Sequence, residues 1–228
     1  MDFLNKTQIY NLVILDKSGS MAVLRTEAIN GFNKTLASIK ATQDEFARTQ
    51  EHFVSLAAFC GCGIDMIYDM TPISKAETLT REKYSPCCFT PLFDAIGSTV
   101  KDLQKKISDK PNAAVIVTII TDGQENASKE WNTKAVNKLI EDCKEEGWSF
   151  SFIGAGEEII RVASTISITN TMLWENTSKG TEKMFRAENK ARKAFCCKLA
   201  DANLMFMTAS EMKSLRKQFS EEYYKEDK

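Results

Sequence analysis

The stretch Leu12-Val-Ile-Leu-Asp-Lys-Ser-Gly-Ser-Met21 decides the fold. Four apolar residues run into Asp16, and two hydroxyls follow at alternate positions, Ser18 and Ser20, with Gly19 between them. A short apolar run closed by a Gly/Ser turn reads as a buried strand feeding a loop. Loops at the C-terminal ends of central strands face the crevice where open α/β sheets bind ligands. Asp16, Ser18 and Ser20 then place three hard oxygens at one strand end, half of a site for Mg2+ or a similar hard cation. The same residues admit a plainer reading, with Ser20 as the N-cap of a helix starting near Met21.

Working outward, strand and helix patterns alternate. Residues 9–15 read as the first strand. From 21 to 41 the apolar residues Ile29, Phe32, Leu36 and Ile39 recur at helical spacing. Residues 52–59 read as the second strand. The two glycines of Cys60-Gly-Cys62-Gly63 make a turn, and 64–70 pairs back as a hairpin on the sheet edge. Thr90 has N-cap chemistry and Pro91 suits the first helical position, so a helix is predicted from there to 108. Residues 113–120 are apolar throughout, as in a parallel strand buried on both faces, and end in Thr121-Asp122-Gly123. A helix over 131–146, a strand over 148–153, a short helix over 157–166 and a strand over 169–174 follow. This order predicts a Rossmann-like, doubly wound α/β fold: a mostly parallel sheet with one antiparallel edge strand and helices on both faces.

Residues 177–199 read as a locally basic helix carrying Lys179, Lys183, Arg186, Lys190, Arg192, Lys193 and Lys198, taken as a solvated face. The pattern breaks at 201–203. Thr208-Ala-Ser-Glu211 then has capping-box spacing, with Met207 and Met212 placed as a hydrophobic staple. The expected organisation is one domain over residues 1–200 and a helical extension over 201–228. The stripe Met212, Leu215, Phe219 and Tyr223 is expected to pack on the domain.

Composition narrows the function. A formal charge of −1 gives no drive toward nucleic acid or an anionic membrane surface. Residues 1–6 lack the basic-then-apolar pattern of a secretory leader, and no apolar run reaches membrane-spanning length. The seven cysteines are an odd number in a chain without an export signal. That predicts reduced thiols and a cytoplasmic location.

A doubly wound sheet brings the loops holding Thr90 and Asp122 beside the Asp16 loop. Asp16, Ser18, Ser20, Thr90 and Asp122 then form one cluster of two carboxylates and three hydroxyls. Such a set prefers Mg2+, admits Mn2+ or Ca2+, and disfavours Zn2+. Asp16-Lys-Ser-Gly-Ser20, Thr90-Pro-Leu-Phe-Asp-Ala-Ile96 and Thr121-Asp-Gly-Gln-Glu-Asn126 together resemble the von Willebrand factor A (vWA) domain and its metal-ion-dependent adhesion site. The resemblance covers roughly residues 8–200 and is nearest the intracellular, single-domain bacterial members. It implies that Ser18, Ser20 and Thr90 bind metal through their hydroxyls, and Asp16 and Asp122 directly or through water. It implies an open coordination position filled by an Asp or Glu of a protein partner, with Lys17, Phe89 and Glu125 on the partner-facing rim. It further implies a non-enzymatic binding module, in some relatives part of a larger assembly. Cys87-Cys88-Phe89 departs from the small residues that many relatives carry before the threonine. Lys17 is expected to point to solvent.

Two other functions compete. A Mg2+-dependent phosphohydrolase would use Asp16 as nucleophile, but the familiar pattern wants a second Asp at position 18, where Ser18 stands. A redox or soft-metal sensor would use Cys60, Cys62, Cys87 and Cys88. A cysteine nucleophile would need a base, and the single histidine, His52, reads as structural or surface.

Overall fold

The computed structural model describes residues 6–202 and 207–224. The leader reading, apart from Lys6, and the break at Asn203 concern residues outside that range. The strands are β1 (Thr7–Asp16), β2 (Gln50–Cys60), β3 (Gly63–Pro72), β4 (Ala113–Thr121), β5 (Ser149–Gly154) and β6 (Asn170–Leu173). The helices are α1 (Arg25–Glu45), α2 (Leu92–Lys106), α3 (Thr133–Glu145), α4 (Glu157–Thr165), α5 (Ser178–Asp201) and α6 (Ala209–Glu221). The strands form one sheet in the order β3-β2-β1-β4-β5-β6, parallel except for β3 against β2. β1 lies between β2 and β4, so the chain reverses its direction of winding at the β1/β4 boundary. That switch point opens a crevice at the C-terminal strand ends.

Alternation along β1 builds the core on both faces. Leu12 and Ile14 pack with Leu92, Ile96 and Val100 of α2, and with Val136 and Ile140 of α3. Val13 and Leu15 pack with Ile29, Phe32 and Leu36 of α1. Each such fully buried side chain contributes about 1.5–3 kcal/mol. α1 and α5 approach closely because Gly31 has no side chain: a Cβ there would lie 2.0 Å from the Phe185 ring.

Three expectations are corrected. The first helix does not start at Met21: a 3-10 turn over Gly19–Leu24 precedes α1. Ser20 lies inside that turn and does not cap a helix. Thr90 does not cap α2 either, because the helix opens after Pro91. Its free N–H groups are met from the segment after β4: Phe93 N donates to Glu125 Oε2 at 2.9 Å and Asp94 N to Ser128 Oγ at 3.0 Å. Arg192 is not part of a solvated basic face. It is buried one helical turn from Glu188, where Nη2 donates to Glu188 Oε1 at 3.0 Å and to Thr118 Oγ1 at 2.8 Å.

The last helix is joined to this buried charge. The capping box forms, with Thr208 Oγ1 accepting from Glu211 N at 3.3 Å and Thr208 N donating to Glu211 Oε2 at 2.7 Å. Beyond α6, Tyr223 OH donates to Glu188 Oε1 at 2.9 Å, and Tyr224 OH donates to Glu188 Oε2. Tyr223 packs with Ile9, Phe195 and Leu199.

His52 is fully buried, with Nε2 3.0 Å from Gln50 Oε1. Burial first, then the positive charge of Arg192, pushes its pKa down to about 4. The unfolded chain therefore binds a proton at His52 that the folded chain refuses. Stability from this residue is complete above about pH 6.5 and is lost as pH falls toward 4, about 3 kcal/mol in all. Urea unfolding at neutral pH and near pH 4 should show a shallower acid loss in His52→Gln than in the parent. Equal losses would assign the acid limb to other groups.

Candidate metal centre

The β1 loop is held from three sides. Tyr84, itself fully buried, donates its hydroxyl to Asp16 O at 2.6 Å. Lys17 N donates to Phe59 O at 2.7 Å, and Cys87 N to Lys17 O at 2.9 Å. Arg25 fixes the 84–85 segment through Tyr84 O and Ser85 Oγ, each at 2.8 Å. The β1 loop thus lies between the β2–β3 turn and the segment that leads to Thr90.

The five predicted oxygen donors converge. Asp16 has no exposed surface; its Oδ1 accepts from Ser18 N and its Oδ2 from Thr121 Oγ1, both at 2.6 Å. Ser18 Oγ is 3.1 Å from Ser20 Oγ, which donates to Asp122 Oδ1 at 2.6 Å. Asn176 Nδ2 donates to Asp122 Oδ2 at 3.2 Å. Thr90 enters from the other side. Its backbone is clamped by Asn126, with Thr90 N donating to Oδ1 at 2.9 Å and Asn126 N donating to Thr90 O at 3.2 Å. Gly123 lets these loops meet: a Cβ there would sit 2.8 Å from Thr90 Oγ1 and 3.5 Å from Asp16 Oδ2.

The electrostatics suit a hard cation. Burial raises the Asp16 carboxyl above the usual range, against the hydrogen bonds from Thr121 and Ser18. Burial raises Asp122 likewise, against those from Ser20 and Asn176. Among the described residues, the hydrogen bonds that reach these carboxylates come from hydroxyls, a backbone N–H and an amide, with no cationic side chain. Two neighbouring carboxylates without counter-charge, lined by neutral hydroxyls, fit Mg2+ or a similar ion. Asp16, Ser18, Ser20, Thr90 and Asp122 are the residues that would hold it.

The rim differs from expectation. Lys17 does not point to solvent: it is buried and pairs with Asp65 of β3, which ties the metal loop to the edge strand. Glu125 turns inward, its Oε1 accepting from Ala127 N at 2.9 Å and Ser128 N at 2.8 Å, in addition to Phe93 N at Oε2. Phe89 stands 68% exposed beside Thr90, a free apolar surface at the site. Thr121, Asn126 and Asn176 support the site without being among its predicted ligands: Thr121 and Asn126 lie in the stretch that carries the resemblance, whereas Asn176 reaches the site only through the fold.

A six-stranded sheet of this order with an oxygen cluster at its switch point defines the class: the chain has the von Willebrand factor A fold. Solved structures similar to it include proximal thread matrix protein 1 (PTMP1) from the mussel byssus, with TM-score 0.54 and 14% identity over 84% of this chain and 47% of that one. The pilus adhesin SpaC from Lactobacillus rhamnosus GG has TM-score 0.59 and 13% identity over 82% of this chain and 31% of its own. The SpRpn10 VWA domain has TM-score 0.51 and 8% identity over 78% of this chain and 93% of its own. The chain therefore spans about half of PTMP1 and a third of SpaC. PTMP1 is also known with zinc in its MIDAS motif. No protein-family model and no curated sequence matches the chain. No helix among the described residues is long and apolar enough to cross a membrane.

Proposed function

We propose that this chain is a non-enzymatic, Mg2+-dependent protein-binding module. Asp16, Ser18, Ser20, Thr90 and Asp122 hold the cation, and an Asp or Glu of a protein partner completes its coordination. The observation that carries this reading is the pair of carboxylates, Asp16 and Asp122, meeting neutral hydroxyls at the sheet's switch point, with no cationic side chain among the hydrogen bonds that the described residues make to them. Neutral hydroxyl ligands leave much of the ion's charge to an incoming carboxylate, which gains a strong and oriented contact. Phe89 gives the partner an apolar foothold at the rim. The fully buried Asp16, with both oxygens already accepting hydrogen bonds, is poorly disposed for nucleophilic attack, which argues against the phosphohydrolase. Seven free cysteines suit the reducing bacterial cytoplasm, within a larger assembly. Residues 1–200 would form the binding domain and 201–228 an extension fastened to it by Tyr223.

The test is affinity capture from the native cell on the immobilised chain, with Mg2+ or with chelator. A partner retained by the parent with Mg2+, and released by chelator and by Ser20→Ala, is the expected result. Equal capture under all three conditions would overturn the reading.

A further inference from the structure

The two turns flanking the oxygen cluster carry four cysteines whose sulfurs converge. Cys60 and Cys62 lie at the β2–β3 turn, and Cys87 and Cys88 in the segment leading to Thr90. Cys60 Sγ is 3.4 Å from Cys87 Sγ; Cys62 Sγ is 3.8 Å from Cys87 Sγ and 3.2 Å from Cys88 Sγ. The sulfurs of Cys60, Cys62 and Cys87 all lie within 4.8 Å of one another. Thiols are weak hydrogen-bonding partners and give little reason for four to meet. A tetrahedral ion with metal–sulfur bonds of about 2.3 Å does: its ligand sulfurs stand about 3.8 Å apart.

We propose that Cys60, Cys62, Cys87 and Cys88 form a four-thiolate Zn2+ site that staples the β2–β3 turn to the Thr90 segment. Zinc is the choice because four sulfur ligands in tetrahedral array select a soft or borderline ion without redox demands. Each thiol gives up its proton to solvent as it binds. The backbone around the cluster is prepared for this. Cys88 adopts φ +61°, a left-handed conformation uncommon for a residue with a side chain. Gly61 N donates to Phe89 O at 2.8 Å, and Gly19 N to Cys88 O at 3.1 Å. The thiolate site therefore also holds the loops of Ser18, Ser20 and Thr90. The zinc site stands whether or not the oxygen cluster takes a cation; only its influence on Thr90 rests on that reading.

Cobalt distinguishes the two centres, because Co2+ bound by thiolates shows an intense sulfur-to-metal charge-transfer band that oxygen ligands do not give. The reduced full-length chain is titrated with Co2+ and then with Zn2+, alongside Cys62→Ser, Cys88→Ser and Asp122→Ala. Both cysteines are exposed, so neither serine disturbs the core. The expected result is a band saturating at one Co2+ per chain, bleached by Zn2+, retained in Asp122→Ala, and weakened at least tenfold in affinity in both serine variants. A missing band, or one unchanged in the serine variants, would overturn the site. So would disulfides among the four in the anaerobically purified chain, which would make the cluster a redox pair.

Discussion

Asp16→Asn is expected to remain folded and to lose the stabilisation that Mg2+ confers on the parent. Asparagine keeps an oxygen for the Ser18 N–H, now 2.6 Å from Asp16 Oδ1. The Thr121 hydroxyl, which donates to Oδ2, also lies 3.1 Å from Gly123 O and can turn to it while accepting from the new amide. Removing one of two uncompensated carboxylates relieves repulsion with Asp122, so without metal the variant should be at least as stable as the parent, to within about 1 kcal/mol. With the ion at a hundredfold excess over its dissociation constant, the parent gains about 2.7 kcal/mol. For a chain of this size that is a rise in Tm of about 5–10 °C. Thermal unfolding with Mg2+ and with chelator checks both halves. A variant that keeps the rise, or that unfolds without metal, contradicts the assignment of Asp16.

Arg192→Met is expected to cost about 3–5 kcal/mol, because it leaves Glu188 charged and buried with only hydroxyl donors. Replacing both members, as Glu188→Gln with Arg192→Met, should recover most of that loss, since the neutral amide removes the buried charge and keeps an acceptor for the Thr118, Tyr223 and Tyr224 hydroxyls. Denaturant unfolding of the two variants makes the comparison. A loss below about 1 kcal/mol in the single variant, or a double variant as unstable as the single, would show that the ion pair does not carry the α5–α6 corner. The same corner couples the C-terminal segment to the domain, because Tyr223 and Tyr224 both donate to Glu188.

The sheet was legible because its signals are local. The apolar runs ending at Leu15 and Ile120 are strands buried on both faces, and the oxygen donors Asp16 and Asp122 sit one and two residues beyond them. Period and position sufficed to bring those donors together. Features that depend on which distant segment arrives were not legible. Thr90 reads as a helix cap until Glu125 and Ser128 come from the β4 loop to cap α2 instead, which leaves its side chain beside Gly123. Lys17 reads as a solvent-facing charge until β3 folds back and offers Asp65. Arg192 sits among lysines in a basic stretch, and only the packing of α5 on β4 and β5 shows that it is buried with Glu188 against Thr118 and Ser151. In each case the local pattern is polar or helical, and the tertiary partner sets the role.

The oxygen cluster is expected to bind one divalent cation. Calorimetric titration of Mn2+, a hard ion that prefers oxygen to thiolate, into the reduced chain stripped of metal tests it most directly. One Mn2+ per chain should bind to the parent and none to Asp16→Asn or Asp122→Ala. Absence of binding to the parent, or equal binding by all three, would contradict it.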